Sequence, residues 1–387
     1  MTGSAMSLVV LPVLVFDLTG STALTGFVFA VRLLPYLVFG LIAGPIADRS
    51  NRRRLIIGGN VIEGCLVATI PLAAVFGVLT VGHVFAVALL AATAYVFSDA
   101  AVFGAVPSLV PPHRLAAANG LISTLAASAD IAGPILAGIL IATIGPANAL
   151  WLDATSFLLA AAVQTTVRSD LRRNSASPAR PRIRQQLATA TRFIRSQRTV
   201  LVLITVGFAN SIGIGIILGL LVPWSVQVQG YDTDDPHLGI LYAAIGVGSL
   251  IAGLVFARLF RPPRVRILTP AALAFSATSS SLLLISTPAI AAIPVGAFAL
   301  GIMLTITTGI TYRQLATPDT LTSTVNTIGR MIAAGGQPLG AAIGAVIAAT
   351  TSITTAYATA TTVMSLTAAA AFLSLRHHDT ALPERAP

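Results

Sequence analysis

The sequence contains no lysine, only one cysteine and few charges of either sign. Charged residues make up 9% of the 387, where soluble domains carry roughly a quarter, and all 23 basic residues are Arg, against 13 acidic ones. Without Lys the phosphate-binding loop G-x-x-x-x-G-K-[ST] is missing, which argues against ATP as an energy source within this chain. The single cysteine, Cys65, excludes an intramolecular disulfide. Since no nucleophile–base arrangement is visible either, we predict no catalytic residues, no metal site and no cofactor.

Long apolar stretches are what the sequence has in abundance: 55% of its residues are hydrophobic, and the mean hydropathy is +0.88. About 20 apolar residues cross ~30 Å of hydrocarbon as a helix. We therefore predict an all-α integral membrane protein with twelve transmembrane helices, arranged as two six-helix bundles related by a pseudo-two-fold axis. The predicted spans are 4–18, 22–46, 55–79, 82–110, 116–143, 147–167, 199–229, 238–259, 267–287, 289–314, 321–349 and 352–375.

A polar stretch with nine Arg separates the two groups of six spans and sets the domain boundaries. We predict an N-terminal bundle at 1–167, a cytoplasmic linker at 168–198, a C-terminal bundle at 199–375 and a cytoplasmic tail at 376–387. The second part of the linker, 183–197, has the pattern of an amphipathic helix that could lie along an anionic inner leaflet. A solvated linker that fixes the topology is the simpler interpretation.

The arginines are confined to alternate gaps between the spans. Gaps after even-numbered spans hold nearly all of them, with Arg313 assigned to the gap at the end of the tenth span, and one gap after an odd-numbered span is acidic, with Asp232, Asp234 and Asp235. By the positive-inside rule, both termini lie in the cytoplasm and the chain crosses a bacterial-type inner (plasma) membrane several times. Charge distributed in this way orients helices, so we expect no nucleic-acid partner.

The most highly charged gap, 44–54, reads G-x-x-x-D-R-x-x-R-R and has five formal charges in seven residues. Positive-inside anchoring explains its arginines but does not explain a carboxylate at a fixed spacing. Charge-assisted bonds from this turn to neighbouring helix ends would explain both, and they predict a conformational latch. The candidate latch residues are Gly44, Asp48, Arg49, Arg52 and Arg53.

Ionisable residues inside a membrane span are costly unless paired or hydrated, so each is a candidate for function. Asp99 and Asp130 are candidate proton carriers. Arg32 is a candidate fixed counter-charge, because Arg does not deprotonate in proteins. A structural ion pair of either acid with Arg32 or Arg330 is the alternative.

Two further acids lie within predicted spans. Glu63 is a third candidate for proton coupling, or else a polar packing partner. Asp153 follows Trp151 near one end of its span, and we expect it to be an interfacial or capping group. Aromatic residues, Tyr36 and Tyr242 among them, could line an apolar cavity or face lipid.

Small-residue motifs in the two halves resemble each other. Glycines four residues apart let helix backbones approach closely, and proline opens a backbone hydrogen bond. Such repetition is typical of two-bundle transporters with a substrate site between the bundles, although ordinary helix packing leaves the same pattern. The motif residues are Gly133, Pro134 and Gly138 in the first half and Arg330, Pro338, Gly340 and Gly344 in the second.

Several segments taken in order resemble one family. The turn at 44–54 resembles the signature loop of the major facilitator superfamily of transporters, with Asn51 where a glycine is usual, a replacement that we expect to keep a left-handed backbone. Segments between Leu11 and Leu375, among them "LPVLVFDLTGS", "WLDATSFLLAA" and "GRMIAAGGQPLGAAIGAVIA", resemble the macrolide-efflux and enterobactin-exporter-like branch. The resemblance implies a monomeric, proton-driven exporter of small amphipathic molecules, such as drugs or secondary metabolites, that works by alternating access.

The resemblance also implies positions and roles. The turn at 44–54 would latch the outward-open state, and the Gly133 motif would be a sealing or hinging surface. The fourth helix, with Asp99, would line the central cavity, whereas the third, with Glu63, would lie towards the bundle exterior. The first predicted span has only about 15 residues, or ~22 Å of helix, so we expect a short first helix or a start downstream of the natural one.

Other functions fit the same scaffold. One is an importer or uniporter, and the others are a non-transporting membrane sensor and a decayed pump. The partners that we expect are protons, a small-molecule substrate and the lipid bilayer.

Overall fold

A computed structural model describes residues 2–109, 115–166, 183–261 and 264–376. Within these ranges the chain is helical, with fifteen α-helices and one short 3-10 helix at Pro288–Ile290, and no strand. The α-helices are α1 (Thr2–Thr19), α2 (Thr22–Arg49), α3 (Arg52–Val75), α4 (Val81–Leu109), α5 (Leu115–Ile144), α6 (Pro146–Thr166), α7 (Ile183–Ser196), α8 (Arg198–Gly219), α9 (Leu221–Gln227), α10 (His237–Leu259), α11 (Val265–Leu282), α12 (Ala292–Ala316), α13 (Asp319–Ala334), α14 (Gly336–Thr350) and α15 (Ile353–Leu375).

Each of the twelve predicted spans is helical in the described ranges, which confirms the predicted fold class. Nine spans are long and apolar enough to cross a membrane on their own, and α13 and α14 together form one of them. The other three correspond to α1, α5 and α11. The first helix has 18 residues, or ~27 Å, three residues more than its predicted span.

Two of the spans are interrupted, and a proline follows each interruption. Pro223 and Pro338 have no N–H to donate to the carbonyls four residues earlier, those of Gly219 and Ala334. These two carbonyls belong to the last residues of α8 and α13. The missing hydrogen bonds therefore mark where α8 gives way to α9 and α13 to α14.

The chain separates into two compact units. The first comprises 1–176 and 219–243, and the second comprises 177–218 and 244–387. In the first unit α3 packs between α4 and α6, α2 packs on α4, and α1 contacts α5 and α6. In the second unit α11 packs between α12 and α15. Residues 219–243, which the sequence assigned to the C-terminal bundle, thus cluster with the first unit.

The linker contains one described helix, α7, at almost the predicted position. Its buried side chains, Ala190 and Ile194, lie on a side that packs near α13, whereas Arg192 and Arg195 are exposed. The apolar face of α7 is therefore at least partly covered by protein. The rest of the predicted linker, 167–182, lies outside the described residues.

Candidate functional site

A polar cluster lies among the apolar helices of the first unit. Asp153 on α6 is completely buried, Glu63 on α3 is 3% exposed, and Arg32 on α2 is half-buried. Arg32 interacts electrostatically with both carboxyl groups. The cluster therefore combines one fixed cation with two acids inside a membrane-spanning bundle.

Helix α1 supplies the hydrogen bonds of this cluster. Arg32 Nη2 donates to the backbone carbonyl of Ser4 at 2.8 Å, and the hydroxyl of Ser7 donates to Asp153 Oδ2. Ser7 is itself 5% exposed. Helix α1 thus provides both an acceptor for the cation and a donor for one of the acids.

Three buried polar atoms of the cluster have no hydrogen-bond partner among the described residues. They are Arg32 Nη1, Asp153 Oδ1 and the hydroxyl oxygen of Tyr242, a 2%-exposed residue of α10 that interacts electrostatically with Arg32. Buried polar groups nearly always have partners, and those without one are candidate positions for water or a ligand. Water or a polar ligand at this cluster would therefore find hydrogen-bond partners in these three atoms.

Close helix packing brings the acids of α3 and α6 together. A Cβ atom added to Gly64, next to Glu63, would lie 3.1 Å from the carbonyl oxygen of Ala154, next to Asp153, and 2.9 Å from Leu158 Cγ. Only glycine leaves room for α6 at this level. Gly3 has the same effect on α1, because a Cβ there would collide with the Asp153 carboxyl group.

The structure corrects one prediction about these acids. Asp153 is not interfacial or capping, since its carboxyl group points into the bundle and is fully buried. The structure also adds the orientation of Glu63, because α3 turns Ile62 and Cys65 outward and Glu63 towards α6. Position along a span does not show which side of a helix faces its neighbours.

Asp99 belongs to a second, more accessible arrangement on α4. It is half-buried and accepts a hydrogen bond of 2.8 Å from the hydroxyl of Tyr36 on α2. The rings of Tyr36 and Tyr95 lie 6.3 Å apart, and those of Phe39 and Phe97 lie 5.7 Å apart. A carboxyl group among aromatic rings suits an amphipathic ligand. The side chain of Asp130, the other predicted carrier, lies outside the described residues.

The turn between α2 and α3 is capped at both sides. Asn51 has extended backbone angles (φ −72°, ψ 102°), and its side chain accepts a hydrogen bond from the backbone N–H of Arg54. The predicted left-handed conformation at Asn51 is therefore wrong, since Asn51 is the N-cap of α3. Arg53 Nη2 donates to the carbonyl of Thr165 in the last turn of α6 at 2.5 Å, and Arg52 is 7% exposed.

These contacts of Arg53 match the kind of bond predicted for the candidate latch. A guanidinium at the C-terminal end of a helix bonds to free carbonyls and is favoured by the helix dipole. The side chains of Gly44, Asp48 and Arg49 lie outside the described residues, so the latch itself stays a prediction.

The motif of α5 makes a backbone-to-backbone contact. A Cβ atom added to Gly138 would lie 3.0 Å from the Cα of Gly239 at the start of α10, and one added to Gly239 would lie 2.7 Å from the carbonyl oxygen of Pro134. Gly133 and Pro134 are buried as well. The motif is therefore a close helix-crossing point within the first unit.

The corresponding motif of the second unit packs against α8. A Cβ atom added to Gly344 would lie 3.0 Å from Ile216 Cγ2, and one added to Gly340 would overlap the backbone of Ile212. Pro338 is buried, and it follows the break between α13 and α14. These residues bring α14 and α8 into contact.

Two arginines of the second unit lie close together. Arg330 on α13 is exposed, whereas Arg313 on α12 is only 3% exposed. The prediction that Arg313 lies in a gap between spans is wrong, because α12 continues beyond Arg313 to Ala316 and the Arg313 side chain is buried.

Sequence reasoning missed Ser7 as a partner of Asp153, the tyrosine partner of Asp99 and the role of Gly64. The small residues in α1 and α3 were the only signal of this close packing. Among the described residues, no group of three or more His, Cys, Asp or Glu side chains is placed to hold a metal ion.

Comparison with known proteins gives the family. The model of the Major Facilitator Superfamily matches residues 1–341. The multidrug efflux pump Tap of Mycobacterium tuberculosis is 30% identical over 274 residues, which are 68% of this chain and 64% of Tap. Macrolide efflux protein A of Streptococcus pyogenes is 23% identical over 260 residues, 65% of this chain and 64% of that protein. The matched region therefore spans slightly less than two thirds of these relatives.

Solved structures confirm the fold. A bacterial homologue of the human lysosomal transporter Spinster, in an inward-facing and occupied conformation, superposes with a TM-score of 0.74 at 14% identity, covering 97% of this chain and 96% of that one. The nucleoside transporter NupG gives a TM-score of 0.71 at 12% identity, covering 97% of this chain and 99% of that one. At these identities the likeness concerns the fold alone.

Proposed function

Because this chain belongs to the Major Facilitator Superfamily and is a multi-pass membrane transporter, we propose that it exports small amphipathic organic molecules in exchange for protons. The efflux relatives support the direction of transport, and alternating access is the mode of the family. We infer an inner (plasma) membrane location with both termini in the cytoplasm, since the arginines lie in alternate gaps. The proposal of a monomer follows from the resemblance to the family alone.

The observation that carries proton coupling is the cluster of Arg32, Glu63 and Asp153. Two buried carboxyl groups face a single, half-buried cation, so charge inside the bundle is balanced when one of the two acids holds a proton. Binding and release of that proton change the net charge by one. The unpartnered atoms of Arg32, Asp153 and Tyr242 provide positions for the water that would deliver it.

Asp99 has a different role in this proposal. It is half-buried, next to Tyr36 and Tyr95, and is therefore accessible to a larger molecule than a proton. Asp99 then contributes to substrate binding, while Glu63 and Asp153 carry the proton.

The test is substrate-induced proton release from everted membrane vesicles acidified inside, followed with a pH-sensitive dye over a panel of amphipathic compounds. We expect release by the unaltered chain and an at least ten-fold lower rate for Glu63→Gln and for Asp153→Asn. Asp17→Asn, which alters an exposed acid at the end of α1, is the matched control and should retain the full rate.

Two outcomes would contradict the proposal. Full proton release by both Glu63→Gln and Asp153→Asn would remove the cluster from coupling. Counterflow of a labelled substrate without any proton movement would identify a uniporter. Insertion and thermal stability of each variant are measured in parallel, so that a folding defect is not mistaken for lost coupling.

A further inference from the structure

The second unit contains a buried guanidinium that points into the bundle. Arg313 is 3% exposed although it lies one turn from the end of α12, and its Nε has no hydrogen-bond partner among the described residues. A Cβ atom on Gly309, one turn earlier, would lie 3.7 Å from Arg313 Nη1, so the side chain runs back along its own helix. Arginines near the ends of membrane helices ordinarily extend outward to the interface.

Helix α13 is shaped to receive this side chain. A Cβ atom on Gly329 would lie 2.9 Å from Nε and 3.2 Å from Cζ of Arg313, so any larger residue would displace the guanidinium. Arg330 follows directly, and its charge acts unfavourably on Arg313. Two cations are thus held close together, one of them away from solvent.

None of the described side chains of the second unit is a carboxylate. Its acidic residues are Asp319, Asp379 and Glu384, and the last two belong to the tail outside the described residues. Asp319 begins α13, ten residues before Gly329, which corresponds to ~15 Å of helix. Within the described residues Arg313 therefore has no acidic partner from the second unit, which leaves its guanidinium group open to an anionic ligand.

A third polar group lies on the same face of α13. Asn326 precedes Gly329 by three residues and Arg330 by four, a spacing that places all three on one side of the helix. Its Oδ1 is buried and has no hydrogen-bond partner among the described residues. Oδ1 accepts hydrogen bonds, so it can pair with the O–H of a protonated phosphate, and the amide turned about its Cβ–Cγ bond presents its NH2 donors to an oxyanion.

We propose that Arg313, Arg330 and Asn326 form an oxyanion-binding site in the second unit, which takes the carboxylate or phosphate group of an amphipathic molecule. The planar guanidinium donates paired hydrogen bonds to two oxygens of one such group, and a buried unpaired charge gains most from an ionic partner. The inference rests on the proposed export function where the amphiphile is the cargo. An anionic lipid headgroup has the same chemistry and is the other source.

The test uses the full chain in phosphatidylcholine nanodiscs and isothermal titration with octanoate and octyl phosphate. Octylammonium, which has the same alkyl chain and the opposite charge, controls for apolar binding. We expect saturable binding of at least one anion, an at least ten-fold lower affinity for Arg313→Gln and for Arg330→Gln, and no change for Arg266→Gln, which alters an exposed arginine of α11.

Thermal unfolding separates a binding role from a structural one. Arg313→Gln removes a buried, uncompensated charge, so without ligand its melting temperature should not fall, whereas the anion-induced rise in melting temperature should disappear. A lower melting temperature for unliganded Arg313→Gln would indicate a structural role and overturn the proposal. Unaltered anion affinity in Arg313→Gln, or no saturable binding of either anion to the unaltered chain, would overturn it as well.

Nanodiscs that contain phosphatidylglycerol distinguish the two sources. Weaker octanoate binding in them identifies a lipid headgroup as the competing occupant, and unaltered binding identifies a soluble amphiphile; both outcomes support the site.

The titration needs no proton gradient, so anion binding without proton release would contradict the proposed function and leave the site standing. Proton release together with normal anion binding by Arg313→Gln would contradict the site alone.

Discussion

The hydroxyl group of Ser7 is important for the stability of the fold because it donates a hydrogen bond to a carboxyl group inside an apolar bundle. Asp153 is fully buried, and the hydrogen bond from Ser7 is the one that its Oδ2 receives, while Oδ1 has no partner among the described residues. In surroundings of low dielectric constant, leaving such an oxygen unpaired costs more than the bond contributes when it is made. Ser7 therefore stabilises the packing of α1 on α6.

Replacing Ser7 with Ala should lower the free energy of unfolding by about 1–3 kcal/mol, because it leaves a buried acceptor without a donor. Thermal unfolding in detergent micelles measures the effect. Ser196→Ala is the control, since this exposed serine at the end of α7 bonds only to a carbonyl of its own helix. Equal melting temperatures for Ser7→Ala and the unaltered chain would show that the bond contributes nothing.

Sequence could predict which residue types matter at this scale but not how they pair. Acids within apolar spans stand out, so Glu63 was a candidate, yet neither its orientation nor the burial of Asp153 could be inferred. Ser7 and Asp153 are 146 positions apart, and their contact depends on the packing of α1 against α6. Local periodicity contains no information on such a contact.

Among the secondary-structure elements, glycine residues determine how closely two helices can cross. At the contact of α5 with the start of α10, Gly138 faces Gly239. The carbonyl oxygen of Pro134 also lies close to Gly239. Small residues at such a contact let two helix backbones approach closely. This geometry suits the sealing or hinging surface that the sequence motif predicts for α5.

Gly239→Ala should disturb this crossing, since its Cβ would lie 2.7 Å from the carbonyl oxygen of Pro134. Overpacking of this kind costs ~1–3 kcal/mol, and we expect a lower melting temperature together with slower proton release in vesicles. Gly253→Ala on the same helix is the control, because a Cβ there has no atom within 4 Å. If the two variants behave alike, the close contact has no mechanical importance.

Sequence predicted the helices far better than their interruptions. Apolar stretches of sufficient length become helices in a membrane whatever their neighbours, because backbone groups must bond within the segment. Proline alone does not locate a break, since α5 continues through Pro134 whereas breaks lie just before Pro223 and Pro338. A nearby glycine does not locate the breaks either, since Gly133 precedes Pro134 within α5 just as Gly219 and Gly335 precede the prolines at the breaks.

We expect the charges in the gaps to determine the orientation of the whole molecule. Arginines in alternate gaps predict that Ser50 lies on the cytoplasmic side and Asp232 on the opposite side. Both side chains are exposed, so both sites are open to reagents.

A labelling experiment in a Cys65→Ser background checks this orientation. We expect an impermeant maleimide added to intact cells to label Asp232→Cys within minutes, and to label Ser50→Cys only after the membrane is opened. The reverse pattern would invert the topology and the proposed direction of transport.

The charge content of the two polar sites has an electrical consequence. In the proposed cycle the cluster of two acids and one cation takes up one proton, and the amphiphile that we propose for Arg313 is an anion. Exchange of an incoming proton for an outgoing monovalent anion moves two positive charges inward. The membrane potential supplies ~2.3 kcal/mol per charge at 100 mV, or ~4.6 kcal/mol per turnover, which would sustain a roughly thousand-fold outward gradient even without a pH difference.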